Sequence, residues 1–377
     1  MRLILIACLA LLTACAVREQ VDFVQGPAPG AVWQPVLVAT MRAPDPSQPI
    51  PGSARSTEVT FGRYTVSIPP EREAGSIPRQ RNRQTPDPER HFMLAEALPL
   101  QPAAFTAAVR AQLAEQPPAQ REVVIFVHGF NTTFAEGTYR TAQMKHDLQL
   151  PGVMTHFSWP SLGEPLAYVH DRDSALFSRD GLIEMIHRVR DAGPERIILI
   201  AHSMGSQLMM EALRQMALAR DPALERIGGV VLIAPDIDVS VFRQQARAIG
   251  QLPQPFLIVV SQRDRALQLS ARLTGEPQRL GNLPSPEAVR DLPVTLVDVT
   301  AFGSGDGHFT VASSPALIGL LGQLGAVNLA LNAADVASSP LLPGVFRPMQ
   351  RASEVVLTPE ETPRRRSLLS FLRSQDG

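Results

Sequence analysis

The feature that most constrains this fold is a regular alternation, beginning near Val123, of short apolar runs and longer amphipathic stretches. The apolar runs are rich in Val, Ile and Leu and lie at residues 123–127, 153–159, 196–201, 228–234, 255–261 and 293–300. Because these runs are continuous and not alternating, each predicts a strand that is buried on both faces. Strand and helix in turn predict right-handed crossovers, and therefore an α/β protein with a mostly parallel central sheet and helices on both faces.

Three strand-like segments precede this series without a helix-like stretch between them, at residues 35–41, 59–68 and 91–98. They predict an N-terminal antiparallel extension at one edge of the sheet. Beyond Gly325 the regular periodicity fades. We therefore expect a single globular domain at residues 35–324. A tether at 15–34 precedes it, and a disordered basic tail at 325–377 follows it.

The N-terminus has the pattern of an export signal. An apolar run at 3–12 is too short to span a bilayer but suits the apolar part of a secretory signal. The next residues, Leu12-Thr13-Ala14-Cys15, resemble a bacterial lipoprotein lipobox. The resemblance implies a lipoprotein signal peptide at 1–14 and a lipidated Cys15 that anchors the protein in the cell envelope.

Ala16, and not Asp, follows that cysteine, which in a cell with two membranes implies sorting to the outer membrane. The alternative is an ordinary signal peptide that is cleaved after Ala14 or Ala16. Both interpretations predict an exported protein.

Composition excludes several classes of protein. The chain has two cysteines, Cys8 and Cys15, and both lie in the N-terminal signal, so they form neither a disulfide framework nor a cysteine-rich zinc site. A formal net charge of −1 argues against a protein that coats nucleic acid, because such binding depends on many phosphate contacts. No histidine spacing indicates a metal site, and we expect neither a metal nor an organic cofactor.

The most specific chemical motif is Ala201-His202-Ser203-Met204-Gly205, which lies between a predicted strand and a predicted helix. This is the pattern of a nucleophile elbow, with Ala201 at the position of the first glycine. Ser203 is therefore predicted to be a nucleophile at the carboxyl edge of the sheet, near a helix N-terminus that favours developing negative charge. The alternative is a serine that only caps the helix.

A second motif follows the predicted strand at 123–127, where the chain continues His128-Gly129-Phe130. In acyl-transfer enzymes of this architecture, the loop after that strand supplies one oxyanion-binding amide and the residue after the serine supplies the other. The predicted donors are the backbone N–H groups of Phe130 and Met204. The alternative is a turn glycine beside a structural His128.

The general base follows by elimination. Of the eight histidines, only His308 lies beyond Ser203, and in this architecture the chain order is serine, acid, histidine. The acid must orient the imidazole from the end of a neighbouring strand. Asp264 and Asp236 both follow predicted strands; Asp264 is the preferred candidate, and a structural or helix-capping role is the alternative for each.

Together these residues resemble the α/β-hydrolase superfamily, and more closely the bacterial α/β-hydrolases of unknown function that are often called esterase/lipase-like. The likeness covers roughly residues 35–321 and is carried by the segments 36–42, 61–69, 125–131, 156–161, 171–175, 201–205, 232–238 and 261–270. It implies the α/β-hydrolase fold and a Ser-His-Asp triad, with Asp264 at the acid position of the family. It implies no particular substrate.

The sequence thus predicts a serine hydrolase that cleaves small-molecule or lipid carboxylic esters. Thioesterases, peptidases and acyltransferases use the same constellation and stay open. A lipid-anchored binding or scaffold protein of the cell envelope, which keeps the fold without turnover, also stays open. Four further residues are candidates for the mouth of the pocket, without a catalytic role: Trp159, Tyr168, Asp171 and Asp173.

Overall fold

The structure is a computed structural model that describes residues 21, 23–24, 26–78, 86–275, 278–302, 308, 313–314, 344–349 and 351–357. Within these residues, eleven strands form one sheet. Their bounds are β1 Val32–Pro44, β2 Pro51–Ile68, β3 Met93–Leu100, β4 Glu122–Val127, β5 Val153–Ser158, β6 Arg196–His202, β7 Ile227–Ile233, β8 Phe256–Val260, β9 Thr295–Asp298, β10 Gly344–Met349 and β11 Ala352–Leu357. Across the sheet the order is β10-β11-β9-β8-β7-β6-β4-β5-β1-β2-β3.

The centre of this sheet is parallel. β4 pairs in parallel with β5 and β6, and the parallel pairing continues through β7 and β8 to β9. Every residue of β4, β5 and β8 is buried, as their continuous apolar sequences predict. β1 to β3 pair antiparallel with one another, which confirms the predicted N-terminal extension, while β1 joins the parallel block beside β5.

Helices cover both faces of the sheet. Those in the described residues are α1 Pro102–Ala114, α2 Phe134–Asp147, α3 Tyr168–Phe177, α4 Arg179–Asp191, α5 Met204–Leu218, α6 Val239–Ile249 and α7 Arg265–Thr274. The helices α1, α4, α5 and α6 pack on one face in the largest apolar cluster. On the other face, α2 packs with β1 and β4, and α7 packs with β7 and β8. This arrangement confirms the predicted fold.

The predicted limits of the domain need correction at both ends. The tail expected from 325 contributes the hairpin of β10 and β11, and β11 pairs in parallel with β9, with Val355 opposite Val297. β11 is a single short strand in which buried and partly exposed residues are mixed, so it lacks the continuous apolar run of the central strands. At the other end, β1 begins at Val32, inside the predicted tether, and Phe23 bridges to Leu94.

Other predictions fall on residues that the structure does not describe. The signal peptide, Cys15, and the tail segments 325–343 and 358–377 all lie outside the described residues. Among the helices that the structure does describe, none combines the length and the apolar character needed to cross a bilayer.

Candidate active site

Ser203 occupies a sharp turn between β6 and α5. Its backbone has φ 52° and ψ −123°, a left-handed conformation that costs energy for any residue other than glycine. The turn also brings two chain segments very close together, because a Cβ atom added at Gly205 would lie 2.3 Å from the carbonyl oxygen of His128. The motif therefore folds as the elbow that its sequence predicts, with Ser203 at its apex and only 3% exposed.

His308 and Asp264 meet across the loops that follow β8 and β9. His308 Nδ1 lies 2.7 Å from Asp264 Oδ2, and the Asp264 side chain is fully buried. A carboxylate accepts the Nδ1 proton, so in the neutral imidazole Nε2 is left as a proton acceptor. Asp264 Oδ1 accepts a second hydrogen bond from the backbone N–H of Leu267 at 2.9 Å, so the same side chain also caps α7.

The rival acid, Asp236, lines the same cavity as Ser203 and His308, but its carboxylate bonds to other side chains. It accepts hydrogen bonds from Tyr168 and Ser270, at 2.8 and 2.7 Å, and forms a buried ion pair with Arg279 at 3.2 Å. Burial raises the pKa of the Tyr168 hydroxyl to about 12, and the neighbouring Asp236 charge adds to the shift, so this hydroxyl stays protonated as a donor. Of the two candidates that the sequence left open, Asp264 is the one that contacts His308.

Ser203 and His308 line the same small cavity, which has a volume of about 90 Å³. Its walls are mostly apolar, with Phe130 on one side and side chains of α7 on the other. The backbone N–H groups of Phe130 and Met204 are the predicted oxyanion donors. Among the described residues the structure gives neither of these amides a backbone acceptor.

Two further histidines support this site without sharing the contact with Asp264. His202 Nε2 donates to the carbonyl oxygen of His308 at 3.3 Å, and burial lowers its pKa well below the usual range. His128 stacks on Trp159 with ring centroids 4.8 Å apart, and burial likewise lowers its pKa. Both imidazoles are therefore neutral and act as packing and hydrogen-bonding groups beside the elbow.

The remaining residues that were candidates for the pocket mouth divide clearly. Tyr168 lines the cavity, whereas Trp159 is fully buried in the core. Asp171 is also fully buried, where it accepts hydrogen bonds from Ser161 Oγ at 2.6 Å and from the Leu162 backbone N–H at 2.9 Å. Asp173 is exposed. Of these four candidates, therefore, only Tyr168 is part of the cavity wall.

Arg42 is a functional support that the sequence did not reveal. It is fully buried in β1, and its guanidinium donates to the carbonyl oxygens of Thr132 and Ser161 at 2.8 and 2.9 Å. It also donates to Ser158 Oγ at 2.9 Å. These bonds tie together the loops after β4 and β5, and the first of these loops carries the Phe130 amide. A single arginine in an apolar strand gives no sequence signal for such a role.

The described part of the chain does not bring three or more His, Cys, Asp or Glu side chains together in a way that could hold a metal ion. What it does bring together, at one cavity, is a serine at a strained elbow and an imidazole paired with a buried carboxylate. A mostly parallel sheet with this elbow after a central strand defines the class of α/β-hydrolases. Residues 101–324 match the sequence profile of one family in that class, described as alpha/beta hydrolase of unknown function (DUF900), and the chain belongs to this family.

Known proteins resemble the chain more distantly. The uncharacterized protein alr1448 of Nostoc sp. is 30% identical over 124 residues, which are 26% of this chain and 32% of that protein, so the chain spans about a third of its relative. Carboxyl esterase 2 of Tuber melanosporum is 11% identical, with a TM-score of 0.32, over 93% of this chain and 86% of that one. A lipase-esterase related protein of Clostridium acetobutylicum is 11% identical, with a TM-score of 0.25, over 54% of this chain and 83% of that one.

Proposed function

We propose that this hydrolase cleaves carboxylic esters through an acyl-enzyme, with Ser203, His308 and Asp264 as its triad. The observation that carries the proposal is the 2.7 Å contact between His308 and the buried Asp264, at a cavity that Ser203 also lines. Membership of an α/β-hydrolase family supports a hydrolase in general. The chain order serine, acid, histidine supports the roles of the individual residues.

The arrangement accounts for each step of such a reaction. Ser203 Oγ attacks the ester carbonyl carbon while His308 Nε2 takes the hydroxyl proton, and Asp264 stabilises the imidazolium that forms. The carbonyl oxygen becomes an oxyanion that accepts hydrogen bonds from the Phe130 and Met204 amides. His308 returns the proton to the departing alkoxide, which leaves as the alcohol. Water, activated by His308, then attacks the acyl-enzyme and releases the carboxylic acid and Ser203.

Labelling with a fluorophosphonate probe tests the nucleophile directly. We expect covalent labelling of the wild type and none of Ser203→Ala. Ser206→Ala is a matched control, because Ser206 lies three residues further on in α5, is fully buried, and donates to the Ala201 carbonyl oxygen at 3.2 Å. Absence of Ser203-dependent labelling in the folded protein would refute the enzymatic proposal and favour a binding or scaffold role.

The class of substrate needs a second experiment. A panel of p-nitrophenyl esters, thioesters and p-nitroanilide amides, hydrolysed by the wild type but not by Ser203→Ala, separates esterase, thioesterase and peptidase activity. We expect the esters to be cleaved fastest. A preference for thioesters or amides would keep the triad but contradict the proposed substrate class.

We also propose that the protein is exported and held in the cell envelope by lipid on Cys15. The Leu12-Thr13-Ala14-Cys15 sequence supports this proposal. Partition of the protein into a detergent phase, lost in Cys15→Ser, is the expected result. Equal partition of the two proteins would contradict lipidation of Cys15.

A further inference from the structure

Four large apolar side chains are exposed on two segments that both contribute residues to the wall of the serine cavity, residues 165–169 and α7. Their exposed fractions are 98% for Leu166, 74% for Val169, 57% for Leu269 and 63% for Leu273. We call these four residues the apolar rim. Scattered exposed leucines are ordinary, but side chains of this size around one opening form a patch of the kind that contacts a partner or a membrane.

Both segments that carry the rim adjoin the serine cavity. Leu269 and Leu273 line that cavity together with Ser203, and so does Tyr168, which lies one residue before Val169. The two halves of the rim are joined at the base, because the Tyr168 hydroxyl lies 2.8 Å from Ser270 Oγ on α7. Whatever covers the rim therefore also covers the entrance to the nucleophile.

Positive charge accompanies the apolar side chains. Four exposed guanidinium groups lie on the same segments, and the described ion pairs include none of them: Arg172, Arg263, Arg265 and Arg272. Among the described residues of these segments, two exposed carboxylates, Glu164 and Asp173, oppose them, so the exposed arginines outnumber the exposed carboxylates there. The exposed residues of α7 are two arginines, two leucines and Gln268, and the arginines and leucines are the combination that an interfacial helix presents to anionic lipids.

We propose that the apolar rim docks the mouth of the serine cavity on an anionic lipid surface. Its leucine and valine side chains enter the boundary of the acyl chains, and the flanking arginines contact lipid phosphates. A second copy of this chain fits less well, because a twofold contact would place like-charged arginines against one another. If docking occurs, the substrates are esters whose acyl chain lies in the lipid layer and enters the cavity from it. This substrate class rests on the proposed ester hydrolysis.

A fluorophore attached at one position tests the docking and does not depend on turnover. In the full-length chain, Cys8→Ser, Cys15→Ser and Ser203→Ala remove both native thiols, the lipid anchor and the nucleophile. An environment-sensitive fluorophore is then attached to Leu166→Cys. The matched control is Leu218→Cys, because Leu218 is 60% exposed at the end of α5 and lies outside the rim.

Vesicles made of equal parts phosphatidylcholine and phosphatidylglycerol are the probe. We expect a blue shift and protection from iodide quenching at position 166, neither change at position 218, and a weaker response with phosphatidylcholine alone. Equal responses at both positions, or no response at 166, would overturn the proposal. Protection of 166 without vesicles would also overturn it: dependence on protein concentration would identify a second copy, and independence would identify a segment of the chain itself.

Two sets of variants test how strongly the leucine, valine and arginine side chains contribute to lipid binding. Leu166→Ser with Val169→Ser, whose binding is measured by co-sedimentation with the same vesicles, should raise the lipid concentration for half-maximal binding by about tenfold or more, since two apolar side chains no longer leave water. Arg265→Gln with Arg272→Gln should weaken binding about fivefold per arginine at low salt and much less at high salt. Leu218→Ser should leave binding unchanged. Docking without fluorophosphonate labelling of Ser203 would refute the proposed function alone.

Discussion

Asp264 has two structural roles, and suitable substitutions separate them. One oxygen of its carboxylate accepts from His308 Nδ1, and the other caps α7 by accepting from the Leu267 backbone N–H. Asp264→Asn keeps a side-chain oxygen for the cap but presents an amide N–H to the imidazole. That amide favours the tautomer in which Nδ1 accepts and Nε2 carries the proton, so Nε2 no longer takes the proton of Ser203.

The expected magnitudes differ widely between activity and stability. Loss of the correct tautomer lowers kcat by about 10⁴-fold in a triad of this kind, which corresponds to about 5 kcal/mol of transition-state stabilisation. Asparagine is as good an N-cap as aspartate, so the free energy of unfolding should change by less than about 1 kcal/mol. Asp264→Ala removes both contacts and should lower kcat similarly, with a further loss of about 1 kcal/mol in stability.

Ester hydrolysis and urea unfolding, measured on the same preparations, provide the assay. Asp238→Ala is the matched control, because Asp238 caps α6 by accepting from the Ser240 and Val241 backbone N–H groups at 2.8 and 3.0 Å. It should lose about 1 kcal/mol of stability and keep its kcat. If Asp264→Asn keeps kcat within tenfold of the wild type while Asp236→Asn does not, Asp264 is not the triad acid.

Three further predictions concern the support of the site. Gly205→Ala should prevent accumulation of folded protein, because its Cβ would lie 2.3 Å from the His128 carbonyl oxygen. The control is Gly26→Ala, whose Cβ would have no neighbour within 4 Å, and its circular dichroism spectrum should equal that of the wild type. Arg42→Met should lower the free energy of unfolding by about 3 kcal/mol or more, because it leaves buried carbonyl groups without donors, and urea titration measures this loss. Burial lowers the pKa of His156 from 6.5 to about 3, so the unfolded chain binds a proton that the folded protein does not. The free energy of unfolding is therefore unaffected by His156 above pH 6.5 and falls by up to about 1.4 kcal/mol per pH unit as the pH drops toward 3. In urea titrations across that range, His156→Asn should show a shallower fall. Identical slopes for the two proteins would contradict this prediction.

The sequence predicted the fold because burial on both faces leaves a direct mark on composition. The continuous apolar runs around Val124 and Ile258 are strands with hydrogen-bonded neighbours on each side, as their pattern indicated. β11 was missed because it is one short strand without a continuous apolar run, separated from β9 by a long stretch of chain. Local periodicity carries no information about which distant strand such a segment joins.

The same distinction applies to the candidate site, where local sequence motifs were readable and contacts between distant residues were not. Ser203 has a local motif whose small neighbours are required by its strained turn, so sequence alone located it. The choice between Asp264 and Asp236 depended on which carboxylate reaches His308 in space, and spacing along the chain did not decide it. Arg42 was missed for a related reason, because its partners are backbone carbonyl groups that every residue carries.

The pairing of β11 with β9 joins segments that are far apart along the chain, and this has a consequence for folding. Residues 295–298 present one side of their backbone to β8, and the other side acquires partners only when residues 353–356 arrive. Until then β9 is an open edge that exposes unpaired N–H and C=O groups, which is a template for aggregation. A chain that ends between the two strands keeps this open edge, so premature termination there should yield aggregates instead of a smaller folded hydrolase.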